Sequence, residues 1–235
     1  VVADGGTHVR RPEVDAEVRD LLREWKAEGR VRALGWALGP SIGWLAEGDA
    51  AVEYDEFDAV QTVFNLFEQE PGRHFIDTIR ETGSDTAVIA RVPHSSGLLN
   101  EQVTSDTVLE DGDHRAHRPK EWYETGWEKV EAIRFLESPD HAEGSRTMAQ
   151  AAIRWLLAHD EVASVTPTFR DADDIAAWSA ASDVPALSEA EYDRLEALYA
   201  DNFGIDRDDG MDVLRTSVDG DDIVAAGLDK RAASY

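Results

Sequence analysis

The stretch FDAVQTVFNLFEQEPGRHFIDTIRETGSDTAVIARV (57–92) decides the fold class, because two apolar runs of strand length flank a helical pattern. Phe57–Phe64 and Thr86–Val92 are rich in β-branched and aromatic residues, which strands favour. Between these runs, Gly72–Thr82 carries its apolar residues at helical spacing. Nearly apolar strands that alternate with helices indicate a parallel sheet covered by helices, so the stretch predicts an α/β fold.

The same alternation extends in both directions from this unit. Val31–Leu38 and Val162–Thr166 predict two more strands, and Val1–Ala3 is a candidate for a fifth. The remaining apolar periodicity predicts helices over Glu13–Glu28, Pro40–Glu47, Lys120–Leu136, Ser145–His159, Asp171–Ala181 and Ser188–Ala200. Residues 1–200 are therefore expected to form the folded domain, and the Asp- and Gly-rich residues 201–235 an acidic, loosely structured tail.

The chain is strongly acidic along its whole length. Asp and Glu total 49 against 23 Lys and Arg, which gives a formal net charge of −26. Such a surface repels itself at ordinary ionic strength, whereas molar salt screens the repulsion within ~3 Å. The composition therefore favours a halophilic protein, adapted to molar intracellular salt, over an ordinary acidic cytosolic protein. It argues against nucleic acid and anionic membranes as partners, because phosphate binding requires clustered cations.

The residue inventory narrows the chemistry further. There is no cysteine, so disulfides and thiolate chemistry are excluded. No apolar run approaches the ~18 residues of a membrane span, and the first residues lack a signal-peptide pattern, so we expect a cytoplasmic protein. The D-x-D-H-x-x-H cluster at 111–117 has metal-ligand residue types. Its place in a polar loop of an Asp-rich chain favours a solvated loop, and no metal site is predicted.

Four stretches, in this order along the chain, resemble the aldo/keto reductase family. They are AEGRVRALGWALG (27–39), FDAVQTVFNLF (57–67), VIARVPHSSGLLNEQ (88–102) and RTMAQAAIRWLLAHDEVASVTPTFRDADDIAAWSAASD (146–183). The resemblance relates them to the family's strands five to eight. It implies a TIM-type (β/α) barrel that is partial in this chain, with about four to five β/α units, parallel strands and outer helices.

The resemblance also implies an activity, the NAD(P)(H)-dependent reduction of aldehydes or ketones to alcohols. In the family a tyrosine protonates the carbonyl oxygen, assisted by a lysine, an aspartate and a histidine, while the cofactor delivers hydride. The tyrosine, lysine and aspartate belong to units that precede these stretches. Only His8, in THVRRP, is a candidate counterpart of the catalytic histidine, and a surface histidine is the alternative.

The cofactor site that the resemblance implies is partly retained. Gln61 stands where the family hydrogen-bonds the nicotinamide carboxamide, Asn65 closes the same motif, and Arg170 could pair with a 2′-phosphate. The family's pyrophosphate-binding loop corresponds to Pro93, His94, Ser95, Ser96, Gly97 and Leu98. The alternative is structural, because strand polar groups can be satisfied locally and the loop can be an ordinary strand-to-helix turn.

Other positions depart from the family's pattern. Ala37 and Leu38 stand where the family has polar partners for the carboxamide, and Arg91 stands where a ring usually stacks on nicotinamide. Ala177 and Trp178 stand where the family has the pair that binds adenine. Three aspartates, Asp171, Asp173 and Asp174, crowd the loop of Arg170 and would repel a phosphate. The cofactor is therefore expected to be NADP(H) or NAD(H), with the preference open.

Two functions of different classes follow from these observations. The first is an oxidoreductase whose missing barrel half comes from another chain or a second copy, with a nicotinamide cofactor and a small carbonyl compound as its other partners. The second is a non-catalytic, truncated paralogue that binds nucleotide or a partner chain without turnover.

Overall fold

A four-stranded parallel sheet forms the centre of the molecule. The structure, a computed structural model, describes residues 16–38, 45–54, 56–110, 112–118, 120–137, 145–205, 215–219 and 222–226. The strands are β1 (Gly35–Ala37), β2 (Ala59–Val63), β3 (Ala87–Arg91) and β4 (Val162–Thr166), and they lie side by side in chain order. Every neighbouring pair is parallel, which confirms the predicted α/β architecture.

Helices connect and cover these strands. They are α1 (Ala16–Ala27), α2 (Leu45–Glu53), α3 (Gly72–Thr82), α4 (Lys120–Ala132), α5 (Met148–Leu156), α6 (Ala172–Ser179) and α7 (Glu189–Ala200). Capping boxes begin α5 at Thr147 and α7 at Ser188, and in each a side chain three residues later bonds back to the cap. In the described part of the chain, no helix combines the length and apolar character that crossing a membrane requires.

The two faces of the sheet have different surroundings. Val60, Val88 and Ala90 point to the helix-covered face and are fully buried, because successive side chains of a strand alternate between faces. Phe64, just after β2, packs edge-on against Trp155 of α5 at 5.0 Å between ring centroids. The other face carries a row of exposed or half-buried residues in matching register, namely Ala37, Gln61, Ile89 and Ser164.

Two predicted elements differ in their bounds. The strand expected over Val31–Leu38 is reduced to β1, because the carboxylate of Asp58 accepts the N–H of Leu34 at 2.7 Å in place of a neighbouring strand. Of the helix expected over Pro40–Glu47, residues 40–44 lie outside the described residues, and the described helix α2 begins at Leu45 and extends to Glu53 through Gly48. A glycine there weakens a helix, but a Cβ at this position would lie 2.1 Å from Cζ of Phe75, so close packing explains it.

The C-terminal part contains two strands within the residues that were expected to form a loosely structured acidic tail. Strands β5 (Arg215–Asp219) and β6 (Asp222–Ala226) form an antiparallel pair, with Val218 opposite Ile223. The cause is local, since β-branched residues flank an Asp-Gly turn signal within the residues that were expected to form the acidic tail. The domain boundary at residue 200 stays a prediction.

One buried arginine joins three segments of the second half. Arg146 is 3% exposed and donates from Nε to the carbonyl of Leu136 at 2.9 Å. Its Nη1 donates to the carbonyls of Pro185 and Ala186 at 3.1 and 2.9 Å, and its Nη2 bonds to Glu191 of α7. All of these acceptors match the planar fork of the guanidinium, which a lysine could not replace.

Candidate functional site

The candidate site lies where the parallel strands end. The carboxyl ends of β1 to β4 share one edge of the sheet, and parallel α/β folds bind their ligands at that edge. Gln61 of β2 points to the open face between Ala37 of β1 and Ile89 of β3. Its side chain is half-buried, and within the described residues its amide has no hydrogen-bond partner. It is therefore free to bind a polar group on this face.

Asn65, after β2, has a different environment. Its Nδ2 donates to Oε2 of Glu68 at 2.9 Å and to the carbonyl of Val92 at 3.0 Å. Its Oδ1 accepts the N–H groups of Phe67 and Glu68, each at 3.0 Å. All four hydrogen-bonding positions of the amide are thus used within the protein. Asn65 fixes the turn after β2 to the end of β3, and a ligand would have to displace one of these bonds.

The loop after β3 has an unusual backbone. Val92, Ser95 and Ser96 have φ angles of 57°, 45° and 55°, and Gly97 follows at 103°. Side-chain-bearing residues rarely occupy this region, and clusters of them are found at functional sites. The N–H groups of Ser95, Gly97 and Leu98 bond within the loop. Those of His94 and Ser96 have no hydrogen-bond partner in the part of the chain that the structure describes, which leaves two donors for an anion.

Two side chains of this loop are buried with unused polar atoms. Ser95 Oγ and His94 Nε2 have no hydrogen-bond partner among the described residues, although Ser95 is fully buried and His94 is 5% exposed. The His94 ring packs on Trp178 at 4.5 Å between centroids. Burial lowers the pKa of His94 to about 4, although Ala149 and Asp174 act in the opposite direction. The imidazole is therefore neutral at pH 7.

Gly97 is required by both its conformation and its neighbours. A Cβ there would lie 3.0 Å from Cγ2 of Val103 and 3.1 Å from Nη1 of Arg115. The positive φ adds strain for any other residue. The glycine thus lets the guanidinium of Arg115 approach the loop backbone.

Two arginines lie near the loop, and each is paired with an aspartate. Arg115 forms a two-pronged pair with Asp113, with its Nη2 2.6 Å from Oδ2. The Nε of Arg170 lies 3.1 Å from Oδ2 of Asp174. With the Gln102 amide turned to satisfy its neighbours, its oxygen accepts from Nε of Arg170 at 3.0 Å. The site therefore offers guanidinium groups whose charge is already partly neutralised.

The positions that depart from the family's pattern also lie at this edge. Leu38 is buried and apolar, and Nη2 of Arg91 donates to its carbonyl at 3.2 Å. Burial lowers the pKa of Arg91, whereas nearby Glu68 raises it. Trp178 of α6 donates from Nε1 to the carbonyl of Thr168 at 3.2 Å. At this edge, beside Gln61, the structure therefore offers the apolar side chain of Leu38 and the guanidinium of Arg91.

Sequence reasoning missed Arg115, and it named Asp174 and Trp178 without predicting their contacts with Arg170 and His94. Arg115 lies in the polar loop that the resemblance covers weakly, and only its contact with Gly97 reveals its place. Other candidates lie outside the described residues, namely His8 and Asp111, as do the side chains of His114 and His117. Within the described ranges, no group of three or more His, Cys, Asp or Glu side chains is arranged to hold a metal ion.

Known proteins share the fold of this chain. The NADH-specific methylglyoxal reductase of Escherichia coli (strain K12) is 27% identical over 152 residues, which are 64% of this chain and 43% of that protein. The glycerol dehydrogenase AKR11B4 from Gluconobacter oxydans superimposes with a TM-score of 0.62 at 20% identity, over 83% of this chain and 57% of that one. An aldo/keto reductase from Klebsiella pneumoniae in complex with NADP and acetate gives a TM-score of 0.51 at 17% identity, over 78% and 53%.

The structural likenesses show the architecture, and a family model shows the family. The chain spans about half the length of the relatives that it matches. At such low identity the structural likenesses show the fold alone, and they confirm a partial TIM-type barrel. The model of the family described as "Aldo/keto reductase family" matches residues 7–200, which is most of the sequence. The chain therefore belongs to the aldo/keto reductase family.

Proposed function

We propose that this chain forms the cofactor-binding part of an oxidoreductase that reduces an aldehyde or ketone to an alcohol with NAD(P)H. The observation that carries the proposal is the loop after β3. Its left-handed residues bring together the N–H groups of His94 and Ser96, unpaired within the described residues, and the buried Oγ of Ser95 as hydrogen-bond donors on one short loop. Such sets bind phosphate groups.

The residues present fit a nicotinamide dinucleotide better at one end than at the other. Ser95, Ser96 and Gly97 would hold the pyrophosphate, with Arg115 close to it and Arg170 at the ribose of the adenosine. Gln61 would bind the carboxamide. The bound cofactor would supply the hydride for carbonyl reduction. Two relatives support a nicotinamide cofactor, since one is named an NADH-specific reductase and the other was solved in complex with NADP.

The proton donor would come from β/α units other than those described. The hydroxyls of Tyr123 and Tyr192 donate to backbone carbonyls, and that of Tyr199 accepts a backbone N–H. Burial raises the pKa of Tyr192 to about 12, which makes it a poor acid. Tyr54 lies beneath the guanidinium of Arg19, away from the strand ends. We assign the catalytic tyrosine, lysine and aspartate to the complementary part, and His8 to the catalytic histidine.

The complementary part would bind the open face and the sheet edges. Within the described residues β1 and β4 each pair on one side only, and such edges are templates for further strands. A further stretch of polypeptide, a second copy or another chain could provide them. Residues 1–200 would form the domain that joins this assembly, with residues 201–235 as a separate acidic segment. The net charge of −26 supports a setting of molar salt in the cytoplasm.

A non-catalytic, nucleotide-binding role is the second candidate. It is favoured by the apolar end of β1, where Ala37 and Leu38 offer no side-chain donor to a carboxamide. It is also favoured by Arg91, whose charge lies on the face where an uncharged nicotinamide would bind. In this case the loop after β3 would still bind phosphate, and no turnover would follow.

Binding and turnover can be tested separately. The folded chain is titrated with NADH and NADPH in ~3 M KCl, and the nicotinamide fluorescence is followed. Saturable binding is expected. Gly97→Ala should weaken it by about tenfold, equivalent to ~1.4 kcal/mol, because the new Cβ meets Arg115 and Val103. Gly83→Ala is the matched control, since Gly83 also has a positive φ but has no neighbour within 4 Å of its Cβ.

The outcomes separate the candidates. Binding that is lost in Gly97→Ala and kept in Gly83→Ala supports the nucleotide site. Carbonyl-dependent oxidation of the cofactor, once the complementary β/α units are added, supports the reductase over the non-catalytic role. A folded chain that binds neither dinucleotide refutes the proposed site.

A further inference from the structure

The N-terminus of α6 is occupied by the protein's own carboxylates. Asp171 is the N-cap and accepts the N–H of Asp174 at 2.9 Å. The carboxylate of Asp174 in turn accepts the backbone N–H of Arg170 at 3.0 Å. A helix N-terminus ordinarily attracts an external anion. Here two internal carboxylates take the donors that a phosphate group would use.

The guanidinium beside this helix is occupied along one edge in the same way. Arg170 presents Nε and Nη2 to Asp174 at 3.1 and 3.4 Å, and the same edge donates to the amide oxygen of Gln102 at 3.0 and 3.2 Å. The side chain of Asp174 is only 11% exposed, whereas that of Arg170 is 61% exposed. The carboxylate is therefore fixed, and the arginine is held to it. Asp174 first, and then Asp171, raise the pKa of Arg170, whereas the positive charge of nearby Arg115 acts in the opposite direction. With Asp173 in the same turn, three carboxylates stand against two guanidinium groups.

This cluster adjoins the proposed phosphate loop. The ring of His94 packs on Trp178 of α6, and Asp174 is close enough to favour protonation of His94. In the proposed function the adenosine ribose lies at Arg170, so it also lies close to Asp174, which pairs with Arg170. A ribose hydroxyl can donate a hydrogen bond to a carboxylate, whereas a phosphate dianion would be repelled by it.

We propose that Asp174, held by Arg170 and supported by Asp171, makes this site select a dinucleotide with a free ribose 2′-hydroxyl, NAD(H), over its 2′-phosphorylated form, NADP(H). This inference rests on the proposed function, since it concerns the same site. The selection arises because the carboxylate of Asp174 repels a 2′-phosphate. The arginine that could pair with a 2′-phosphate is already paired, and its partner has the wrong charge.

The test compares the dissociation constants of NADH and NADPH by fluorescence titration, without any turnover. The wild type should bind NADH at least tenfold more tightly. Asp174→Asn keeps the size and the acceptor oxygen but removes the charge, and it should reduce that ratio about fivefold or more. Asp173→Asn is the matched control, because Asp173 lies in the same turn but is exposed, and it should change the ratio less than about twofold.

A second variant keeps the inference testable if Asp174→Asn fails to fold. Arg170→Gln should leave NADPH affinity within about twofold of the wild type, because the charge of the guanidinium is already paired with the carboxylate of Asp174. A loss of tenfold or more would show that Arg170 grips a 2′-phosphate, and the inference would be wrong. Equal or tighter wild-type binding of NADPH overturns the inference and leaves the proposed function intact. Binding of neither dinucleotide overturns the proposed function and this inference with it.

Discussion

Acidification should destabilise the protein through His94. The ring is 5% exposed, and burial lowers its pKa from 6.5 to about 4 in the folded state. In the unfolded chain the ring has its ordinary pKa, so between pH 6.5 and 4 the unfolded state binds the proton more readily. The stabilisation is therefore complete above pH 6.5 and decreases as the pH falls toward 4.

The size of the effect follows from the shift. A difference of about 2.5 pKa units corresponds to ~3 kcal/mol over the whole window, of which ~2 kcal/mol is lost by pH 5. The free energy of unfolding is measured in urea at pH 7.5, 6 and 5, at one KCl concentration. Other groups titrate in this range, so the quantity to compare is the pH dependence of the wild type with that of His94→Phe and His94→Gln.

Both variants remove the titrating ring, one with an apolar and one with a polar replacement. Each should lose about 2 kcal/mol less than the wild type between pH 7.5 and pH 5, whatever its stability at pH 7.5. If both variants follow the wild-type pH dependence, the buried ring does not titrate with a depressed pKa. In that case the packing of His94 against Trp178 would be looser than described.

Three further predictions concern stability. Raising KCl from ~0.2 to ~3 M should increase the urea midpoint of unfolding, because salt screens a net charge of −26, and a midpoint that falls would refute the halophilic assignment. Gly48→Ala should destabilise the fold by ~2 kcal/mol or more through its clash with Phe75, and Phe75→Leu in the same chain should restore part of this, whereas additive losses would contradict the contact. Asn65→Ala should cost about 3 kcal/mol, since four hydrogen bonds are lost in the core, and a change below ~1 kcal/mol in chemical denaturation would show that the turn after β2 does not depend on them.

The fold was predictable where the signal is local. Strand β4 coincides with its predicted range, and α3 does so too, because apolar periodicity ends at Gly83, which takes the left-handed conformation of a helix C-cap. The position of α2 was not predictable, since Gly48 opposes a helix locally. Gly48 is needed in this helix because the phenyl ring of Phe75 in α3 packs against it, and this contact joins residues 48 and 75, which lie 27 positions apart in the chain.

The candidate site was predictable in position and only partly in detail. Gln61 and the loop after β3 lie at the carboxyl ends of the strands, and Gln61 faces the open side of the sheet, whereas their binding roles stay predictions. The bonding of Asn65 depends on the carbonyl of Val92 from the next strand, which one stretch of sequence cannot reveal. The pairing of Arg170 with Asp174 joins the loop after β4 to the first turn of α6, and both this pair and its closure by Gln102 depend on how that loop folds.

The bonds of Arg146 bear on how the second half of the chain opens. Its guanidinium holds the ends of segments at Leu136, at Pro185 and Ala186, and at Glu191, so none of them can detach without exposing the others' buried acceptors. Local fraying should therefore be suppressed, and amide protons of α5 and α7 should exchange with solvent in a single cooperative event. The C-terminal helices then behave as one unfolding unit, although 39 residues separate Arg146 from Pro185 along the chain.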